Sequence, residues 1–151
     1  MSYTRCYYHI VFRTKGSVNA LPIGPDVELY KFIWGLVKNK SAILFQINGM
    51  PDHLHLFVSL SPTISLADFV KEVKISSNNW LKEHRELFPY FTGWACGYAG
   101  LSYGENDKEN IIAYIKRQKE HHNRETFSEE IRRVLAENGI PINEEHFEED
   151  I

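Results

Sequence analysis

Apolar and polar residues along the 151-residue chain fall into segments whose period switches several times. Tyr3–Thr14 is rich in aromatic and β-branched residues, the composition of a strand. Residues 15–24 gather Gly, Pro, Ser and Asn and read as a connection. After Pro25, with Asp26 and Glu28 in a first turn, Leu29, Phe32, Ile33, Leu36 and Val37 recur at helical spacing. Ala42–Ile47 is a short apolar strand, Asn48-Gly49 with Pro51 predicts a turn, and His53–Leu60 completes a hairpin. Ser65 suits the N-cap of a helix whose inner face is Leu66, Phe69, Val70, Val73, Trp80 and Leu81, broken near Phe88-Pro89. Trp94–Tyr103 has the aromatic content of a strand, diluted by Gly97 and Gly100. Asp107 can cap a helix running to about His122, and Ser128 another that Gly139 and Pro141 end.

The predicted order is β-α-β-β-α-β followed by two helices. Its first six elements match the split βαβ, or ferredoxin-like, arrangement. The expected class is therefore α+β, an antiparallel sheet with helices on one face and a C-terminal helix free to carry chemistry. Residues 1–142 read as one domain and residues 143–151 as an acidic tail. The length suits one core, and 43% hydrophobic with 25% charged residues is an ordinary globular composition. Apolar runs such as Leu54–Val58 are too short to cross a bilayer, and the first residues lack a signal-peptide pattern. Cys6 and Cys96 make no disulfide framework, so reduced thiols, a buried Cys96 and a cytoplasmic location are expected.

A net charge of −3 argues at first against a nucleic-acid partner. The tail changes this, because residues 143–151 hold five acids and no Lys or Arg, and the rest of the chain carries +2. The local cluster Lys116, Arg117 and Lys119 matters more than the total.

Two constellations carry candidate chemistry. In Pro51-Asp52-His53-Leu54-His55-Leu56, strand geometry puts His53 and His55 on one face, roughly 6–7 Å apart along the backbone. Leu54, Leu56 and Val58 then point into a core. Two imidazoles on a rigid strand suit a metal, although surface histidines on a half-buried strand have the same pattern. In Tyr114-Ile115-Lys116-Arg117-Gln118, an i, i+4 pair lets a phenol and an amide address one point while Ile112 and Ile115 pack. Lys116, Arg117 and Lys119 add charge suited to a phosphodiester.

These pieces come in an ordered set: Tyr8-His9-Ile10-Val11-Phe12-Arg13-Thr14-Lys15; Asn48 to His55; Ser65-Leu66, Lys74 and Ser76-Ser77; Gly97-Tyr98; and Tyr114-Ile115 followed by Gln118, Glu120, His121 and His122. Over roughly residues 3–142 the chain resembles the insertion sequence 200/605-type tyrosine transposases, within the His-hydrophobic-His (HUH) single-strand endonucleases. The resemblance implies Tyr114 as nucleophile and His53, His55 and Gln118 as ligands of a divalent metal, Mg²⁺ or Mn²⁺. It implies cleavage and rejoining of single-stranded DNA through a 5′-phosphotyrosine, with hairpins at transposon ends as partner. It also implies a homodimer whose tyrosine helices could complete each other's metal sites. Asp52 and His121 are candidates for base or supporting roles. Tyr90, Phe91 and Tyr98 are candidates for base stacking, with core packing favoured for most aromatics, and Lys71 with Lys74 reads as a solvated edge.

Three other readings compete. A domesticated relative would cut chromosomal repeats with the same residues. A non-catalytic nucleic-acid-binding module of this fold would keep the histidines alone. An unrelated His-x-His metal hydrolase would need further ligands that the sequence does not offer. The transposase reading requires the Tyr114 oxygen to lie near imidazoles that a substrate can reach.

Overall fold

A computed structural model describes residues 2–121 and 125–151. The elements are β1 (Tyr7–Arg13), α1 (Asp26–Lys38), β2 (Ile43–Met50), β3 (His53–Ser59), α2 (Leu66–Glu83), β4 (Ala99–Tyr103), α3 (Lys108–Lys116), α4 (Gln118–His121), α5 (Phe127–Glu137) and α6 (Phe147–Asp150). The four strands form one antiparallel sheet in the order β2-β3-β1-β4, as the split βαβ arrangement requires. No helix among the described residues is long and apolar enough to cross a membrane.

The alternation of β1 and β3 sorts side chains to two faces. Ile10, Phe12, Leu54, Leu56 and Val58 bury against Leu29, Ile33 and Val37 of α1 and Phe69, Val70 and Val73 of α2. The opposite face is divided. Val11, Ala99 and Leu101 pack with Phe127, Ile131, Val134 and Leu135 of α5, joined by Phe147 and Ile151 near the C-terminus. Tyr7 and Phe57 pack with Ile115 of α3. Between these two clusters the sheet presents His9, His53 and His55, all buried.

Several expected boundaries move, each for a physical reason. β1 starts at Tyr7, whose ladder partners Ser59 and Tyr103 are the last, and before it the Cys6 carbonyl still accepts from Leu60 N at 2.9 Å. Asn48 and Gly49 are not the hairpin turn. They pair with His55 and Leu54 inside the ladder, and Pro51-Asp52 turns instead. Gly49 is needed for close approach, since a Cβ there would sit 2.2 Å from the His53 carbonyl oxygen. The strand expected over Trp94–Tyr103 pairs only from Ala99, with one bridge from Trp94 to Thr14. Lys74 accounts for this. Its ammonium donates to the carbonyls of Ala95 (2.8 Å) and Gly97 (2.7 Å), drawing that segment toward α2. Lys74 is thus a structural clasp rather than a solvated edge, and Cys96, between its two acceptors, is exposed rather than buried. Phe91 is core, while Tyr90 is 68% exposed.

The late helices also differ from expectation. Asp107 precedes α3 without a side-chain capping bond. α5 is capped by Thr126, not Ser128, in a reciprocal capping box with Glu129. The single helix expected from Asp107 to about His122 is interrupted at Arg117. Asn48 enforces the break, donating to the terminal carbonyls of Ile115 (3.0 Å) and Lys116 (3.1 Å) that a helix end leaves unpaired. The side chain of His121 and the whole of His122 lie outside the described residues.

Gly49→Ala is predicted to destabilise the protein by about 1–3 kcal/mol, the usual cost of forcing atoms into a packed site. Urea unfolding would read this directly, and a midpoint equal to wild type would refute the close-approach assignment.

Candidate active site

His53 and His55 stand two residues apart on β3, so both rings project from the same face. Asp52 Oδ1 accepts from His53 Nδ1 at 2.6 Å, which leaves Nε2 facing inward. The corresponding nitrogen of His55 lies 2.8 Å from Nε2 of the buried His9 on β1, and the two rings stack. Burial and the neighbouring His55 push His9 well below the usual imidazole range, so it is neutral and offers an acceptor there. Each ring therefore has its outer nitrogen held and its Nε2 aimed at a common point, the arrangement expected of metal-ligating histidines.

That point is occupied by a residue absent from the sequence motifs, Glu130 of α5. Its Oε1 lies 3.2 Å from Nε2 of His53 and 3.2 Å from Nε2 of His55. Its Oε2 accepts from the Gln118 amide at 2.8 Å and from the Tyr114 hydroxyl. The Gln118 carbonyl oxygen lies 3.4 Å from His53 Nε2. The four expected residues thus converge, although α3 and α4 do not continue as one helix through Tyr114 and Gln118. Ligand atoms of His53, His55 and Glu130 all lie within 4.8 Å of one another and could hold a metal ion.

Over residues 2–118 the chain matches the transposase IS200-like family. It belongs to that family. A relative from Deinococcus radiodurans, the ISDra2 transposase TnpA, is 34% identical over 116 residues, covering 74% of this chain and 82% of the relative. A crystal structure of a proposed transposase from the same organism has a TM-score of 0.61 at 25% identity, covering 78% of this chain and 93% of that one. A REP-associated tyrosine transposase bound to a REP hairpin has a TM-score of 0.60 at 12% identity, with 81% and 72% covered, and shows the shared fold. In this IS200-like chain, α5 and its Glu130 follow the matched residues.

The electrostatics of the group are tightly coupled. Burial favours neutral His53, but hydrogen bonds and charge from Asp52 and Glu130 outweigh it and raise its pKa from 6.5 to about 9. Burial would likewise raise Glu130, yet the two imidazoles hold its carboxyl far below the ordinary range. Without a metal, a proton on His53 supplies the positive charge beside this carboxylate. Burial and the charge of Glu130 raise Tyr114 above 10, while Arg133, donating to the phenol oxygen at 3.0 Å, opposes them.

Access is one-sided. His55 is fully buried, whereas His53, Gln118 and Glu130 line a pocket of about 430 Å³ with Asp52, Glu125 and Phe127. Lys119, expected to face a phosphodiester, is instead engaged inside, pairing with Asp26 (2.9 Å) and donating to Asn48 Oδ1 (2.7 Å). Lys116 and Arg117 stay exposed. Glu130 had one sequence signal. It shares the buried face of α5 with Phe127, Ile131 and Val134, an acid within an apolar stripe.

For the metal-free protein, the raised pKa of His53 makes its stabilising contribution complete below about pH 6.5 and lost as pH rises through about 9. Glu130→Gln is predicted to return His53 toward its ordinary pKa. Imidazole shifts followed by NMR titration would check this, and an unchanged His53 midpoint would refute the coupling.

Proposed function

We propose that this IS200-like chain cleaves and rejoins single-stranded DNA, with Tyr114 as nucleophile and a divalent metal, Mg²⁺ or Mn²⁺, held by His53, His55 and Gln118 together with Glu130. The observation that carries this reading is the shared carboxylate: one oxygen of Glu130 meets both imidazoles and the other meets the Tyr114 phenol. The donor set fits such a cation, since it offers imidazole nitrogen, carboxylate oxygen and amide oxygen without thiolate. The outer nitrogens of both rings are already held, as ligation through Nε2 requires. When bound, the metal supplies Lewis-acid polarisation of the scissile phosphate.

The residues perform the remaining steps. The Tyr114 hydroxyl donates to Glu130 Oε2, which fixes its direction, and solvent takes the proton as the phenol oxygen attacks. The phenol oxygen forms a bond to phosphorus, the bond to the 3′ oxygen breaks, and the strand is left on Tyr114 through its 5′ phosphate. A phosphodiester has replaced a phosphodiester, so no nucleotide cofactor is needed. Attack by another 3′-hydroxyl reverses the step and joins new ends.

For the partner, we extend to this chain a single strand with hairpin ends; the similarly folded REP-associated protein was solved with a REP hairpin. A homodimer would hold two sites. Tyr114 meets Glu130 within one chain, and in a homodimer the helix that carries Tyr114 could complete the site of its own subunit or of the other. Asp52 then acts by orienting His53.

Labelled single-stranded oligonucleotides from the gene's own flanks, incubated with Mn²⁺, should give a covalent protein–DNA band that Tyr114→Phe abolishes. His53→Ala and Gln118→Ala should both lower cleavage through lost metal binding, each by more than the roughly 10–100-fold typical of residues that only support a ligand, with His53→Ala the more severe. A band surviving in Tyr114→Phe would place the nucleophile elsewhere.

A further inference from the structure

Arg133 sits on α5 at i+3 from Glu130, with 38% of its side chain exposed. Its Nη2 donates to the Tyr114 oxygen at 3.0 Å, and the guanidinium carbon lies 5.7 Å from the centre of that ring. Two acids fix the group. Glu125 accepts from Nη2 at 2.6 Å and from Nε at 3.3 Å, and Glu137 accepts from Nη1 at 3.3 Å. Glu125 also lines the pocket that holds His53, Gln118 and Glu130.

The phenol oxygen is therefore gripped from both sides, donating to Glu130 and accepting from Arg133. A brace between α3 and α5 would need only ring packing, whereas a guanidinium held by two acids presents a fixed donor to the reacting atom. Arginine also keeps its charge at any working pH, so it can meet negative charge on that oxygen without taking part in proton transfer.

We propose that Arg133 is a catalytic residue that aligns the Tyr114 oxygen for attack and stabilises it as the leaving phenolate when the strand is rejoined. This rests on Tyr114 being the nucleophile. In rejoining, the incoming 3′ oxygen forms its bond to phosphorus and the bond from phosphorus to the Tyr114 oxygen breaks. The electron pair returns to the phenol oxygen, where Arg133 donates. The hydroxyl proton of the incoming strand is released to solvent, and the freed phenol oxygen regains a proton from solvent to donate again to Glu130. Loss of one preorganised donor to a developing oxyanion costs about 100–1,000-fold in rate, and partial exposure puts Arg133 near or below the lower figure.

The test is single-turnover cleavage and rejoining of a labelled single strand in full-length protein, with Mn²⁺ affinity measured alongside by calorimetry. Arg133→Gln should slow both steps by about 30- to 100-fold, rejoining the more, while Mn²⁺ affinity stays within about twofold. Arg133→Lys should recover about tenfold, because it restores the charge without the fork. Replacing Tyr114 by 3,5-difluorotyrosine in the Arg133→Gln background should restore rejoining in particular, since the fluorinated phenolate leaves more readily. Rates within threefold of wild type in Arg133→Gln would overturn the assignment. So would loss of Mn²⁺ binding in that variant, or no recovery with the fluorinated ring, either of which marks a structural brace. If wild-type protein forms no adduct, or Tyr114→Phe still forms one, the nucleophile itself is wrong and this role falls with it.

Discussion

A buried carboxylate is tolerated only when donors surround it, and Glu130 is surrounded on both oxygens. The imidazoles of His53 and His55 face one oxygen, and the amide of Gln118 and the phenol of Tyr114 face the other. That one charge connects β3, α3, α4 and α5. Together with Asp52 it raises the pKa of His53 in the metal-free chain, against the burial that would lower it. A cation that enters must displace the proton on His53, so metal affinity and pH are linked through the same atom.

The carboxylate can do this only because the surfaces around it are rigid. β3 lies between β1 and β2, and its ladder fixes both histidine backbones. Asp52 at the turn and His9 on β1 then set each ring by its outer nitrogen. On the other side, Asn48 caps α3, and Lys119 ties α4 to Asp26 of α1 and to the β2 hairpin strand. The helix break at Arg117 is thus a built feature. It sets Gln118 against Glu130 independently of the turn that carries Tyr114.

The later helices give the second sheet face its cover. α5 contributes Phe127, Ile131, Val134 and Leu135 to a core with Val11, Ala99 and Leu101, and from the same helix come Glu130 and Arg133. Packing and chemistry are therefore coupled. Loosening this apolar contact would withdraw both the acid and the guanidinium from Tyr114.

Local pattern determined a good deal here. The period of two in β1 and β3, the helical stripes of α1 and α2 and the order of elements specified the split βαβ topology. The spacing His53-x-His55 placed two rings on one face, because strand geometry leaves no other choice. Tyr114 and Gln118 came forward through the family resemblance, since an i, i+4 pair on a helix is by itself commonplace. Contacts distant in sequence decided the rest. No local rule reveals that Asn48 ends a helix 67 residues later, that Lys74 bends the segment before β4 and leaves Cys96 exposed, or that Lys119 turns inward. Glu130 is the clearest case: the sequence shows an acid on an apolar stripe, but only the docking of α5 on the sheet supplies the donors that make its burial possible.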